Sequence, residues 1–361
     1  MKTIIFRPTN NCNLNCTYCY DKNNHFKSEE NIIEASTQKF ISEKENILKS
    51  VNILFASEKN PKIIFHGGEP LLVRTEELSD FCSKLSNRNI KFSIQTNGTL
   101  ITKKTIDMFK KYHFSVGISL DGCDKEQNYQ RIYPSGANSF DKVLSNLFKL
   151  KNENVKFGLI MSIAKQHVGA EQRLYDFIAK NDFNCNIRPV FGNKENENIM
   201  SQEEYAMFFN RLFNIWFNDE KETVKNHQIL ELYQALRFSI DPNYSSNLCN
   251  NSPDCFHNFI SLDVDSNLYA CNRLYGKSEF YYGNLKEDSL TEIQKKIDYL
   301  VNLRKQAVEI DCNECEEFSS CNGGCPAESY DVYGNIYHKA PICKTKELVK
   351  RHVEGVINGN N

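Results

Sequence analysis

The sequence predicts an α/β fold, with six strand–helix repeats building a parallel sheet and a small cysteine-rich region following it. Three observations predict this. Short β-type runs alternate with longer helical runs from residue 3 to about residue 220. The unusual polar and glycine-rich segments stand directly after strand candidates. Cysteines are bunched, with three near the N-terminus and eight between residues 249 and 343.

Strands are expected at 3–7, 62–66, 91–96, 115–120, 156–163 and 185–189. Helices are expected between them, at about 29–50, 75–87, 102–111, 139–152, 169–180 and 202–218. Repeats of this kind form a parallel sheet with helices outside, either open or curled into a partial (β/α)6 TIM-like barrel. Ser201 and Glu204 make a capping box for the helix that follows. That helix carries Tyr205, Phe208, Phe209, Leu212, Phe213, Trp216 and Phe217 at helical spacing, which reads mainly as core. Residues 191–200 read as a polar loop, about 226–239 as a further helix and 243–251 as a linker. The domain boundary is placed there, giving 1–240 and 241–361.

Composition narrows the function. The 361 residues suffice for about two domains, and 40% hydrophobic with 25% charged content is ordinary for a globular protein. The net charge of −2 and the absence of a basic stripe argue against nucleic acid. No apolar run approaches a membrane span, and the stretch before Cys12 is too short for a signal peptide. A cytoplasmic protein is expected. Fourteen cysteines there point to metal rather than disulfides. Cys82, Cys123 and Cys185 stand alone and are expected as buried small hydrophobes.

Cys12, Cys16 and Cys19 are spaced C-x3-C-x2-C, with Tyr18 before the last. Three thiolates in so short a stretch can hold three irons of a 4Fe–4S cluster, leaving the fourth iron open to substrate or cofactor. A short zinc loop is the alternative. Strand two runs into Gly67-Gly68-Glu69-Pro70, strand three into Gln95-Thr96-Asn97-Gly98, and strand four into Ser119-Leu120-Asp121-Gly122. In a β/α barrel, sites form at the C-terminal ends of strands, so these segments converge on one face. Taken singly, Gly67-Gly68, Asn97-Gly98 and Asp121-Gly122 would each pass as ordinary turns.

The later eight cysteines equal the ligands of two full 4Fe–4S clusters, with two structural zincs as the alternative. Residues 312–325 run C-x2-C-x5-C-x3-C and lead into Pro326. In two-cluster ferredoxins, the cysteine of a C-x3-C-P ending serves the other cluster. By that logic Cys312, Cys315, Cys321 and Cys343 hold one cluster, and Cys249, Cys255, Cys271 and Cys325 hold the second.

The Cys12–Cys19 stretch resembles the signature of radical S-adenosylmethionine (AdoMet) enzymes. The resemblance implies an open iron that chelates AdoMet and a 5′-deoxyadenosyl radical formed by reductive cleavage. It further implies that Tyr18, Gly67, Gly68, Glu69 and Asn97 belong to the AdoMet site, with Ser119 at the ribose or carboxylate region; Arg131 is a candidate for the carboxylate, with an ion pair to an acidic residue or a solvated arginine as the alternatives. The later array resembles the SPASM domain, the auxiliary-cluster extension of that family, which makes three 4Fe–4S clusters in all. Ser266 stands where that family has glycine.

SPASM enzymes of this size mostly act on peptides, and one position discriminates among them. In the sulfatase-maturing enzymes an aspartate follows the third cysteine of the first auxiliary set and acts as general base. Here that residue is Asn272, whose amide does not titrate near neutral pH. Asp263 or Asp265 would be substitutes. The expected function is therefore hydrogen abstraction from a ribosomally made precursor peptide followed by side-chain cross-linking, through carbon–carbon or thioether bonds. The alternatives are formylglycine formation from Ser or Cys and a non-catalytic iron–sulfur electron carrier. The expected partners are a small precursor peptide and an electron donor such as flavodoxin or ferredoxin. With eleven residues ahead of Cys12, no N-terminal leader-binding module is expected, and the precursor is expected to dock on the barrel and SPASM surfaces or on a separate leader-peptide-binding protein.

Overall fold

The first strand, β1 (Thr3–Arg7), shows why the sheet forms. Side chains alternate across a strand, so Ile4 and Phe6 share one face and both are fully buried. Arg7 ends the opposite row and is buried as well. The computed structural model describes residues 3–21, 31–191, 198–225, 227–241, 244, 249–252 and 254–359. The remaining strands are β2 (Lys62–Phe65), β3 (Lys91–Thr96), β4 (Ser115–Ser119), β5 (Phe157–Ile163), β6 (Cys185–Pro189), β7 (Phe259–Asp263), β8 (Asn267–Tyr269) and β9 (Tyr281–Asn284). The helices are α1 (Ile32–Leu54), α2 (Thr75–Leu85), α3 (Lys103–Lys111), α4 (Phe140–Asn152), α5 (Glu171–Asn181), α6 (Gln202–Phe217), α7 (Leu230–Ile240), α8 (Cys255–Asn258), α9 (Leu290–Cys312), α10 (Phe318–Cys321), α11 (Pro326–Tyr333) and α12 (Cys343–Ile357).

The chain divides into two compact units. The first comprises Met1–Ser119, Gln130–Phe157 and Asp254–Asn302. Its strands lie in the order β4-β3-β2-β1-β7-β8-β9. Neighbours from β4 to β7 are parallel, with Ile4 level with Ile63 on one side and Ile260 on the other. β8 and β9 add an antiparallel end. One sheet face is covered by phenylalanines. Phe6 stacks on Phe81 of α2 at 5.3 Å, and Phe92 stacks on Phe114 at 5.6 Å. Each such buried ring stabilises the unit by about 1.5–3 kcal/mol.

The second unit comprises Leu120–Tyr129, Gly158–Pro253 and Leu303–Asn361. Here β5 and β6 pair in parallel, with Leu159 level with Cys185. The capping box expected at Ser201 forms. The Glu204 amide donates to Ser201 Oγ at 3.1 Å, and the Ser201 amide donates to Glu204 Oε2 at 2.7 Å. Of the residues expected as core along α6, Tyr205, Phe208, Phe209, Leu212, Phe213 and Trp216 are buried, whereas Phe217, the last residue of the helix, is exposed. α12 packs on α6 and α7, burying Val349 and Val353.

The fold is the expected parallel α/β class, and the sheet is open. α1 runs one turn past its expected end because Val51 and Phe55 still face the core. β7 is a strand that the sequence reading did not mark, although Phe259-Ile-Ser-Leu-Asp263 has strand composition. The loop expected at 191–200 and the linker expected at 243–251 lie largely outside the described residues. Among the described residues no helix is long and apolar enough to cross a membrane.

Candidate functional site

The ends of β1, β2 and β3 are laced to the cysteine loop by backbone bonds. The Gly68 amide donates to the Thr9 carbonyl at 3.2 Å, and the Glu69 amide donates to the Asn11 carbonyl at 2.7 Å. A Cβ on Gly67 would meet the Thr9 oxygen at 2.5 Å, and one on Gly68 would meet the Asn11 oxygen at 2.0 Å. Both glycines are therefore required by the approach of the cysteine loop itself. The far side of the loop is held by residues 130–132. The Asn15 amide donates to the Ile132 carbonyl at 2.7 Å, and the Thr17 amide donates to the Gln130 carbonyl at 3.0 Å.

Glu69 is fully buried. Its carboxylate accepts from the Leu71 amide at 3.0 Å, Thr96 Oγ1 at 2.7 Å and the Asn97 amide at 2.7 Å. Burial raises its pKa, and these donors together with Arg131 oppose the rise. Asn97 Nδ2 donates to Asn13 Oδ1 at 2.8 Å and lies 3.8 Å from Cys12 Sγ. Arg131 Nη1 donates to the Tyr18 hydroxyl at 2.7 Å, and its charge is felt at both Cys19 and Glu69. Ser119 ends β4 one residue beyond the Ile118–Thr96 pair, level with Asn97. Cys12, Cys19, Tyr18, Glu69, Asn97 and Arg131 thus form one connected cluster. Burial, then the Glu69 carboxylate, push the Cys12 thiol far above its ordinary range. Bound iron reverses that logic, because a coordinating thiol is held as thiolate by the metal charge. Cys16 and Cys19 both act on the Cys12 thiol, so three thiols share one neighbourhood, and their chemistry fits a cluster ligated by three cysteines.

Residues 6–178 match the radical SAM superfamily model. The chain carries a radical SAM domain over those residues. It is 28% identical to the cysteine-type anaerobic sulfatase-maturating enzyme of Clostridium novyi (strain NT), over 95% of this chain and 92% of that one. It is 24% identical to the serine-type enzyme of Bacteroides thetaiotaomicron, over 88% and 81%. Among solved structures it resembles native anSMEcpe with bound AdoMet and Cp18Cys peptide, with a TM-score of 0.81, 20% identity and 99% of both chains covered. Streptococcus suis SuiB bound to precursor peptide SuiA matches with a TM-score of 0.63 at 17% identity, over 94% of this chain and 73% of that one. These structural likenesses show the fold, a mixed α/β fold with a parallel sheet of the radical SAM type.

In the radical SAM fold of this chain the later cysteines fall in both units. In the first unit, Cys255 and Cys271 both act on the buried Tyr282 hydroxyl, and Cys271 Sγ accepts from the Arg273 amide at 3.2 Å. In the second unit lie Cys249 and Cys325, and also Cys312, Cys315, Cys321 and Cys343, which share one electrostatic neighbourhood. Among the described residues no group of three or more Cys, His, Asp or Glu forms a single-ion site. Cys82 and Cys185 are buried as expected. Cys123 departs from expectation, being half-buried with its thiol 3.4 Å from Asp124 Oδ2. Ser266 adopts φ +70°, so the turn before Cys271 keeps a left-handed residue without a glycine.

Sequence reasoning missed the group around Asn272. Arg7, fully buried, donates to Asp21, to Asn10 Oδ1 at 3.0 Å and to Asn272 Oδ1 at 2.7 Å, and lies 3.8 Å over the Tyr275 ring. Arginine has donors only, so it fixes the Asn272 amide with oxygen toward itself. Asn272 Nδ2 then donates to the Tyr20 hydroxyl and to His66 Nδ1 at 3.2 Å. His66 Nδ1 also lies 3.4 Å from the Gly67 carbonyl. Burial, then the Arg7 charge, lower the His66 pKa to about 4, so the ring is neutral at pH 7. The one available signal was a charged residue closing an apolar strand. The two suggested substitute bases are engaged elsewhere. Asp263 accepts from the Asp265 and Asn267 amides at 2.9 Å and from the Tyr275 hydroxyl at 2.9 Å, while Asp265 pairs with Lys39.

Proposed function

We propose that this chain is a peptide maturase that abstracts hydrogen from a residue of a ribosomally made precursor peptide and joins two side chains. The observation that carries this is Asn272. Its amide is locked between Arg7 and the pair Tyr20 and His66, and it offers no proton acceptor where formylglycine chemistry uses a carboxylate. When bound, a 4Fe–4S cluster on Cys12, Cys16 and Cys19 with AdoMet supplies a 5′-deoxyadenosyl radical. The residues of the chain hold and enclose that site. Glu69, Asn97, Tyr18 and Arg131 fix the cysteine loop, and Gly67, Gly68 and Ser119 border it. The auxiliary set I is Cys249, Cys255, Cys271 and Cys325, and set II is Cys312, Cys315, Cys321 and Cys343. The working division is an AdoMet domain over 1–240 and an auxiliary-cluster domain over 241–361, with a flavodoxin or ferredoxin as electron donor in the cytoplasm.

A second reading, formylglycine formation, is favoured by sulfatase-maturating relatives that span nearly the whole chain. One experiment separates the two. Reconstituted protein is incubated anaerobically with AdoMet, dithionite and two probes: a cysteine-containing sulfatase peptide and the short peptide encoded beside the gene. A product of the second probe with two hydrogens fewer and no fragmentation between the joined residues supports cross-linking. A hydrazine-reactive aldehyde on the first probe overturns it.

A further inference from the structure

α12 begins with Cys343, and Lys346 stands one helical turn further along the same face. Lys346 Nζ lies 3.3 Å from Cys321 Sγ and 3.0 Å from Asn251 Oδ1. Asn251 is itself held, because its carbonyl accepts from Asn322 Nδ2 at 2.8 Å. The ammonium is therefore bracketed and aimed at the sulfur. Among the described residues no carboxylate pairs with it. By contrast, Lys344, Lys350 and Arg351 of the same helix each pair with a glutamate. A second cation, Lys339, acts on Cys312 and Cys343. Arg304 fixes the intervening loop by donating to the Ile336, Gly323 and Gly324 carbonyls at 2.7, 2.9 and 3.3 Å.

A half-buried ammonium with no carboxylate partner among the described residues thus stands beside this thiol. It makes sense if the sulfur carries negative charge. Charge-assisted hydrogen bonds to cluster sulfurs stabilise the more negative, reduced state and so raise the reduction potential. We propose that Lys346 raises the reduction potential of the cluster held by Cys312, Cys315, Cys321 and Cys343. This rests on the ligand assignment made above.

The test uses protein with Cys12, Cys16 and Cys19 changed to Ala, so that only auxiliary clusters remain. Iron is counted, and the protein is titrated with dithionite while reduced clusters are followed by electron paramagnetic resonance. About eight irons per chain are expected of two auxiliary clusters, whereas about four would refute that assignment on its own. With about eight irons present, Lys346→Met shifts one of the two midpoints to more negative potential and leaves the other in place. Lys346→Arg keeps the midpoint, and Arg351→Met, whose side chain pairs with Glu347 on the surface, leaves both unmoved. Should Lys346→Met lose iron, Lys346→Gln, which keeps a donor without the charge, shows a smaller negative shift. Unchanged midpoints in iron-replete Lys346→Met or Lys346→Gln protein overturn the proposal.

Discussion

Replacing Asn272 with Asp puts a carboxylate where the structure has a neutral amide. The new charge sits about 4 Å from the Arg7 guanidinium, an attraction of about 4 kcal/mol at an effective dielectric of about 20. Asp21 already occupies that guanidinium, and two carboxylates about 6 Å apart repel by about 3 kcal/mol on the same scale. Desolvation of the buried site costs several kcal/mol more. The sum is a loss of about 1–3 kcal/mol in stability, with the pKa of the new carboxyl raised. His66 Nδ1 also loses its donor and faces an acceptor, which favours protonation of the ring. A general base contributes about 10²- to 10⁴-fold, and one tethered to arginine belongs at the low end. Aldehyde formation from a cysteine sulfatase peptide, followed by hydrazine capture and mass spectrometry, is therefore expected to be at the detection limit for the wild type. Asn272→Asp should raise it by about 10²-fold. Wild-type aldehyde formation that the substitution fails to increase would refute the reasoning.

Gly68→Ala drives a methyl into the Asn11 carbonyl, so the cysteine loop must move. Iron content after reconstitution should fall by about four atoms per chain while the auxiliary signals persist, and full loading would contradict this placement. Ser266→Gly relieves a left-handed serine whose buried hydroxyl has no partner. Denaturant unfolding should show a gain of about 0.5–1 kcal/mol after the entropy cost of glycine. His66 has its folded pKa depressed from 6.5 to about 4, so between those values the unfolded chain binds the proton that the folded chain refuses. Stability should therefore be lost as pH falls from about 6.5 to about 4, by at most about 3 kcal/mol, and His66→Gln should flatten that part of the pH profile.

The fold was legible because β1 to β6 and α1 to α7 follow apolar periodicity, which local sequence states directly. β7 escaped because its parallel partner is β1, more than 250 residues earlier, and no local pattern announces such a pairing. At the site, Cys12, Glu69, Asn97 and Arg131 could be named from motif and strand-end position, and they do meet. The reason for Gly67-Gly68 could not be named, since it is a backbone approach by Thr9 and Asn11. Arg7 was hidden for a related reason. A charged residue at a strand end is ordinary, and only the tertiary fold reveals that it is fully buried.

Arg7 also explains why Asn272 is not an isolated difference. A buried guanidinium requires one negative charge nearby, and Asp21 supplies it. With that charge balanced, residue 272 has to be neutral, and an amide meets both demands by accepting from Arg7 while donating to His66. The two positions should therefore be energetically coupled through the arginine. Asp21→Asn alone leaves Arg7 buried and uncompensated, at a cost of about 3–5 kcal/mol, and Asn272→Asp alone adds a surplus charge. The double exchange restores the balance with the carboxylate moved to the other side of the guanidinium. Its stability loss should fall short of the sum of the single losses by about 1–3 kcal/mol in a double-mutant cycle on denaturant unfolding. Additive losses would mean that Arg7 does not link the two positions, and the charge of Arg7 would then not account for the amide at Asn272.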